Sequence, residues 1–227
     1  ADEGSGRVLA PPRVPAVQEE LAAMAAPGAA AGAGEGSAEE AELRAFHARC
    51  CGLFGVESVS WSELVELSGG QAGALGEGAV LVDVREAAEQ AVSMVPGALT
   101  LSEFRALGPS LASRDPRPVV CPMCTIGFRS AAHARDIARE GVFRVRNYEG
   151  VVLHTWSGGP LVGPDGRPTN RVHAFTGHHA KVPPGVEATT FSGLAATGKA
   201  MSWVWRRQVD WVRGADKLPP AADDARP

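Results

Sequence analysis

The chain has 227 residues, 44% of them hydrophobic, which is enough for one sizeable core with material left over. A net charge of −4 without a basic block argues against a nucleic-acid surface. Apolar runs fall far short of the ~20 residues a membrane span requires, so a soluble protein is expected. Four cysteines in a chain this long do not make a disulfide framework; they point to thiol chemistry in a reducing compartment, whether cytoplasm, plastid or mitochondrion. No signal-peptide pattern is visible, and the start at Ala1 rather than Met is read as processing or trimming.

Residues 1–36 are rich in Ala, Gly and Pro and poor in large apolar side chains, the composition of a disordered arm. Ser37 opens a helix with Glu39 and Glu40 in its first turn and Leu43, Phe46 and Cys50 on one stripe. The adjacent pair Cys50–Cys51 is expected to serve packing. Val56 to Val59 is a first strand, and Ser60 with Glu63 forms a capping box for a short helix through Leu67. After a Gly-rich loop, Ala79 to Val84 is a continuous apolar run, the mark of a strand buried on both faces of a parallel sheet. Asp83 and Arg85 lie at its end, where open α/β sheets place functional groups; an ion pair bracing the adjacent loops is the preferred role. Glu86 to Ala91 is a helical turn or two. Ala98 to Leu101 is a third strand, and Ser102 is expected to cap the helix that follows.

Val119 to Cys121 is the central strand, followed by a tight loop and a helix from Phe128 to Glu140. A backbone turning from strand to helix directs several amides into one concavity, which favours an anion. Cys124 stands at its mouth, where a thiolate is stabilised. Gly127 permits the turn. Arg129 supplies a positive charge and a fork of donors suited to oxyanions. Pro122 is unusual in a central strand and is expected to end it early or force a bulge before Cys124. Cys121-Pro122-Met123-Cys124 also spells a dithiol motif. Residues three apart on an extended strand lie about 10 Å apart and point to opposite faces, too far for a disulfide unless Pro122 bends the chain. Arg144 to Asn147 is a fifth strand and Glu149 to Trp156 a closing helix. Beyond Gly158 the chain is turn-rich, with Arg171 to Ala174 read as a short extended piece and His178-His179 not expected to hold a metal. Lys199 to Arg213 forms an amphipathic helix with Met201, Trp205, Val209 and Val212 on one face, a docking or partner-binding element.

Cys124-Thr125-Ile126-Gly127-Phe128-Arg129-Ser130 resembles the active-site loop of the rhodanese family of sulfurtransferases. The resemblance extends to Val82-Asp83-Val84-Arg85-Glu86, Glu89, Val95-Pro96-Gly97-Ala98, Asn147-Tyr148-Glu149-Gly150 and Trp156, a little under half the chain. Departures include Ser93-Met94 where many members carry Gly-His, and Gly150-Val151 where Gly-Gly is commoner. The resemblance implies an α/β, rhodanese-like fold: a five-stranded, mostly parallel sheet flanked by helices over residues 37–165, with an irregular arm (1–36) and a C-terminal extension (166–227) ending in the 199–213 helix. It implies a persulfide on Cys124, an anion loop from Thr125 through Ile126, Gly127, Phe128 and Arg129 to Ser130, support from Asp83 and Arg85, and no cofactor or metal. The partners would be a small donor such as thiosulfate and a thiol or cyanide acceptor. A non-catalytic binding or scaffold module and a Cys121/Cys124 thiol oxidoreductase are the alternatives.

Overall fold

Two apolar runs, Ala79–Asp83 (β2) and Val119–Met123 (β4), lie side by side in parallel at the centre of the molecule, paired from Ala79–Val119 to Asp83–Met123. In this computed structural model, residues 37–70 and 75–191 are described, so the 1–36 arm and the 199–213 helix lie outside them. Side chains of β2 and β4 alternate between two cores. Leu81, Cys121 and Met123 face one, with Leu43, Trp61, Leu64, Tyr148 and Val151. Val82 and Val120 face the other, with Phe104, Leu111 and Ile137. A strand buried on both faces needs this unbroken apolar run. Each large side chain so buried contributes about 1.5–3 kcal/mol.

The helices that cover the two faces are Ala38–Phe54 (α1), Trp61–Ser68 (α2), Ala87–Gln90 (α3), Leu101–Ala112 (α4), Phe128–Arg139 (α5) and Val151–Trp156 (α6). Caps set several of their ends. Ser37 accepts from Glu40 N, and Gly55 closes α1 in the left-handed region. The Ser60–Glu63 box opens α2 as expected. The next cap is Thr100, not Ser102: Thr100 and Glu103 form a reciprocal box, so α4 starts directly from the strand.

The expected five-stranded sheet is replaced by smaller parallel sheets. Leu99–Thr100 (β3), β2 and β4 form one of three strands; Ser58–Val59 (β1) and Asn147–Tyr148 (β5) form another of two. A single parallel bridge, Val120–Val145, lies between them. The strands β1, β3 and β5 are shorter than the sequence suggests because capping and turn residues begin at once beside them.

Pro122 neither ends β4 nor forces a bulge. Val120 N donates to Arg144 O at 2.9 Å and Arg146 N to Val120 O at 3.0 Å. The next donor on that edge would be residue 122, which as proline has no N–H; the neighbouring segment bonds β1 along its other edge, with Asn147 N on Glu57 O at 2.7 Å. The missing N–H removes one rung on that edge alone, and β4 stays extended through Met123.

Residues after Gly158 return to the first core. Arg171–His173 (β6) pairs in parallel with Glu187–Thr189 (β7), and Val172 and Ala174 are buried in the same cluster as Leu81 and Met123. Trp156 Nε1 donates to Lys181 O at 3.0 Å, and Lys181 pairs with Glu42 of α1. No helix among the described residues is long and apolar enough to cross a membrane.

Candidate active site

Cys124 follows β4 directly, and α5 starts four residues later. Its Sγ accepts the Gly127 N–H at 3.2 Å and the Ser130 hydroxyl at 3.5 Å. The sulfur therefore sits against the first amides of a twelve-residue helix, where partial positive charge collects. Gly127 has φ 96°, and a Cβ there would lie 2.0 Å from His47 Nδ1 of α1, so both backbone and neighbour require glycine.

The loop is held from behind by α6. Val151 N donates to Cys124 O at 2.9 Å and Val152 N to Thr125 O at 3.1 Å. With these carbonyls held by α6, the Gly127 amide faces the sulfur. Gly150, with φ 97°, allows the approach: a Cβ there would meet Thr125 O at 2.7 Å. Asn147 Nδ2 adds a bond to Gly127 O at 3.0 Å.

Arg129 behaves differently from expectation. Its fork is closed on the Glu89 carboxylate, Nη1 to Oε2 and Nη2 to Oε1 both at 2.7 Å. Thr125 Oγ1 joins the same group, donating to Glu89 at 3.0 Å and accepting from Arg129 Nη2 at 2.9 Å. A buried carboxylate outcompetes a transient anion for a bidentate fork, so Arg129 offers the site its charge rather than free donors. Burial opposes that charge, yet the Glu89 hydrogen bonds and the Cys124 and Glu89 charges hold the guanidinium pKa above its ordinary value. Burial likewise raises Glu89, but Arg129 outweighs it and keeps the carboxyl below its usual range. Phe175 lies over the guanidinium, 4.8 Å from ring centroid to Cζ.

Asp83 and Arg85 form the brace preferred from the sequence. Both side chains are fully buried, with Arg85 Nη2 at 2.7 Å from Asp83 Oδ2 and 2.6 Å from Ser93 O. Glu89 feels the Arg85 charge, so the two pairs are neighbours. Of the remaining loop residues, Ile126 packs in the core and Phe128 stacks edge-on against Phe54 of α1 at 5.5 Å. Cys121 also points into the core beside Leu81 and Met123, and burial pushes its thiol up to about 12. His178 and His179 form a single 3-10 turn away from the sulfur's own hydrogen bonds.

No protein-family model and no curated protein matches the chain. Solved structures similar to it include a thiosulfate sulfurtransferase from Pseudomonas aeruginosa, 23% identical with a TM-score of 0.43, over 56% of this chain and 24% of that one. Another is the reduced CoADR-RHD of Bacillus anthracis, 25% identical with a TM-score of 0.31, over 44% of this chain and 16% of that one. A third is a Rhodopseudomonas palustris protein of unknown function described as a possible tyrosine phosphatase, 20% identical with a TM-score of 0.35, over 57% of this chain and 96% of that one. The chain thus spans a quarter or less of the first two proteins. All three scores are below 0.5, and the functional reading rests on the site's own geometry.

Several site residues carry a signal that sequence reasoning did not convert into a role. Glu89 and Asn147 stand in the motif that resembles the family, without an indication that they reach Arg129 and Gly127. His47 shares the buried stripe of α1 with Leu43, Cys50 and Cys51. Burial holds its imidazole down to about 4, so it packs behind the loop as the neutral ring. Phe175, in the turn-rich extension, had no signal.

Proposed function

We propose that this protein is a rhodanese-type sulfurtransferase that carries sulfane sulfur as a persulfide on Cys124. The observation that carries the reading is the Gly127 N–H at 3.2 Å from Cys124 Sγ, at the head of α5. A nucleophile and an anion cradle within one loop are what covalent sulfur transfer requires. The Cys124 thiolate attacks the outer sulfur of a donor such as thiosulfate, and sulfite departs. The terminal sulfur of the persulfide keeps a negative charge, which the amides from Thr125 to Arg129 and the Arg129 charge stabilise. A thiol or cyanide then removes that sulfur and restores the thiolate. Cys124 is only 1% exposed, so donor and acceptor enter through local opening of the surrounding segments.

The loop has four residues between Cys124 and Arg129, a ring sized for one sulfur atom rather than a phosphoryl group. A Cys121/Cys124 oxidoreductase is disfavoured because β4 stays extended through Met123 and Cys121 faces the core. The test is thiocyanate formation from thiosulfate with cyanide in excess. The wild-type chain should turn over, and Cys124→Ser should reduce the rate to background while keeping its melting temperature within a few degrees. A folded wild-type protein that yields no thiocyanate would leave the non-catalytic binding module as the better reading.

A further inference from the structure

The thiols of α1 have no part in the cycle above, yet the helix that carries them packs on the reactive loop. Along the buried stripe of this helix, His47 sits against Gly127 and Phe54 against Phe128. Asn147 Nδ2 links the same two walls, 3.4 Å from Cys51 Sγ and 3.0 Å from Gly127 O. Cys50 lies between His47 and Phe54, three residues from one and four from the other, and so on the same face. It is 4% exposed, against 1% for Cys124. Burial is the main cause that pushes the thiol up to about 12.

We infer that Cys50 is a resolving thiol for the Cys124 persulfide, giving the protein a second activity: release of the donor's sulfane sulfur as sulfide. The inference rests on the persulfide reading. A persulfide on a buried sulfur meets acceptors from solution only during local opening, so excess cyanide still takes its sulfur. At low acceptor concentration, a thiol held on the facing helix has the advantage of high effective concentration. In the first step the Cys124 thiolate takes the outer sulfur of thiosulfate and sulfite leaves, one S–S bond forming as another breaks. In the second the Cys50 sulfur attacks Cys124 Sγ, the bond to the outer sulfur breaks, and the Cys50 proton leaves with it as hydrosulfide. The two thiols are oxidised to a Cys50–Cys124 disulfide, and the sulfane sulfur is reduced by the same two electrons. An external dithiol must then reopen the bridge.

The experiment is a single turnover of the reduced full chain with one equivalent of thiosulfate, without air or added thiol, reading sulfite, sulfide, intact mass and a non-reducing peptide map. The wild type should release both sulfite and sulfide, lose two hydrogens and yield a peptide pair joining Cys50 to Cys124. Cys50→Ala should retain one added sulfur atom and release no sulfide, while Cys51→Ser should still form the 50–124 bridge. Circular dichroism confirms that each variant is folded. A wild type that keeps the added sulfur overturns the inference and leaves the persulfide reading standing, as does a bridge mapped to Cys51 or Cys121. Absence of sulfite and added sulfur in both wild type and Cys50→Ala sinks the persulfide reading and the inference together.

Discussion

Two buried arginine–carboxylate pairs stand side by side near the ends of the central strands, and they are built for different tasks. Asp83 and Arg85 are two residues apart, both side chains fully buried, with the arginine also tied to the Ser93 carbonyl. Glu89 and Arg129 are forty residues apart, and the arginine is 12% exposed beneath the Phe175 ring. The first pair holds a single turn of chain in shape after β2. The second joins α3 to the start of α5 and takes in Thr125, a member of the loop that follows Cys124. A local pair can fix only its own neighbourhood, whereas a long-range pair makes the geometry of one segment depend on another.

The sharpest break in the comparison is Asp83→Asn. It leaves a fully buried guanidinium without its counter-charge, which costs about 3–5 kcal/mol. Urea denaturation should show that loss, while kcat/KM per folded molecule stays within about threefold of wild type because no atom of the sulfur cradle is touched. Glu89→Gln should invert the pattern. Its stability loss is smaller, about 2–3 kcal/mol for charge-assisted bonds to a partly hydrated arginine. Its kcat/KM for thiosulfate should fall by at least about tenfold, a loss of more than about 1.4 kcal/mol of transition-state stabilisation. Equal activity losses in the two variants would erase the distinction.

Acid separates the pairs from their surroundings. His47 and His154 are held near 4 by burial, against an ordinary value of 6.5. His154 is locked between the Tyr148 hydroxyl at 2.7 Å and Pro160 O at 2.9 Å. The unfolded chain binds these protons first, so stability falls as pH drops from about 6.5 toward 4. Glu89, held below its usual carboxylate range, keeps its pair with Arg129 through that window and loses it only at lower pH. Denaturant midpoints should therefore decline from pH 6.5 downward in the wild type, and less steeply in His154→Gln. A midpoint flat to pH 4.5 would mean that these imidazoles are not buried as neutral rings.

The order strand, cysteine, glycine, arginine, helix was legible because each residue acts on its immediate neighbours. Ser37, Ser60 and Glu63 were legible for the same reason. What Arg129 binds was not, since the fork fits any oxyanion and the sequence does not measure the forty residues to Glu89. Thr100 took the cap from Ser102 because a box with Glu103 satisfies two amides where Ser102 would satisfy one. The division into small sheets depends on where a neighbouring segment turns away, a property of the whole fold that no local pattern records. Phe175 reaches the site by packing alone, for which a single chain carries no periodic mark.

The imino acid in β4 sets a boundary that reaches beyond its own strand. At Val120 the ladder toward the 144–146 segment is complete, and at position 122 it has nothing more to offer. β4 runs on to Cys124, while Asn147 and Tyr148 stay beside it and pair with β1 along their other edge. An ordinary residue at 122 would supply one more rung, to the Arg146 carbonyl, and tighten the hold of β4 on Arg146 and Tyr148. Gly150, two residues further on, would be pulled with them from its seat against the Thr125 carbonyl. Hydrogen exchange at the new amide of Pro122→Ala reports whether that rung closes: slow exchange with weakened sulfur transfer is expected, and fast exchange with full activity would refute it. Seen this way, one absent proton keeps the zipper from closing past the point where the thiolate loop and the helix behind it need room to meet.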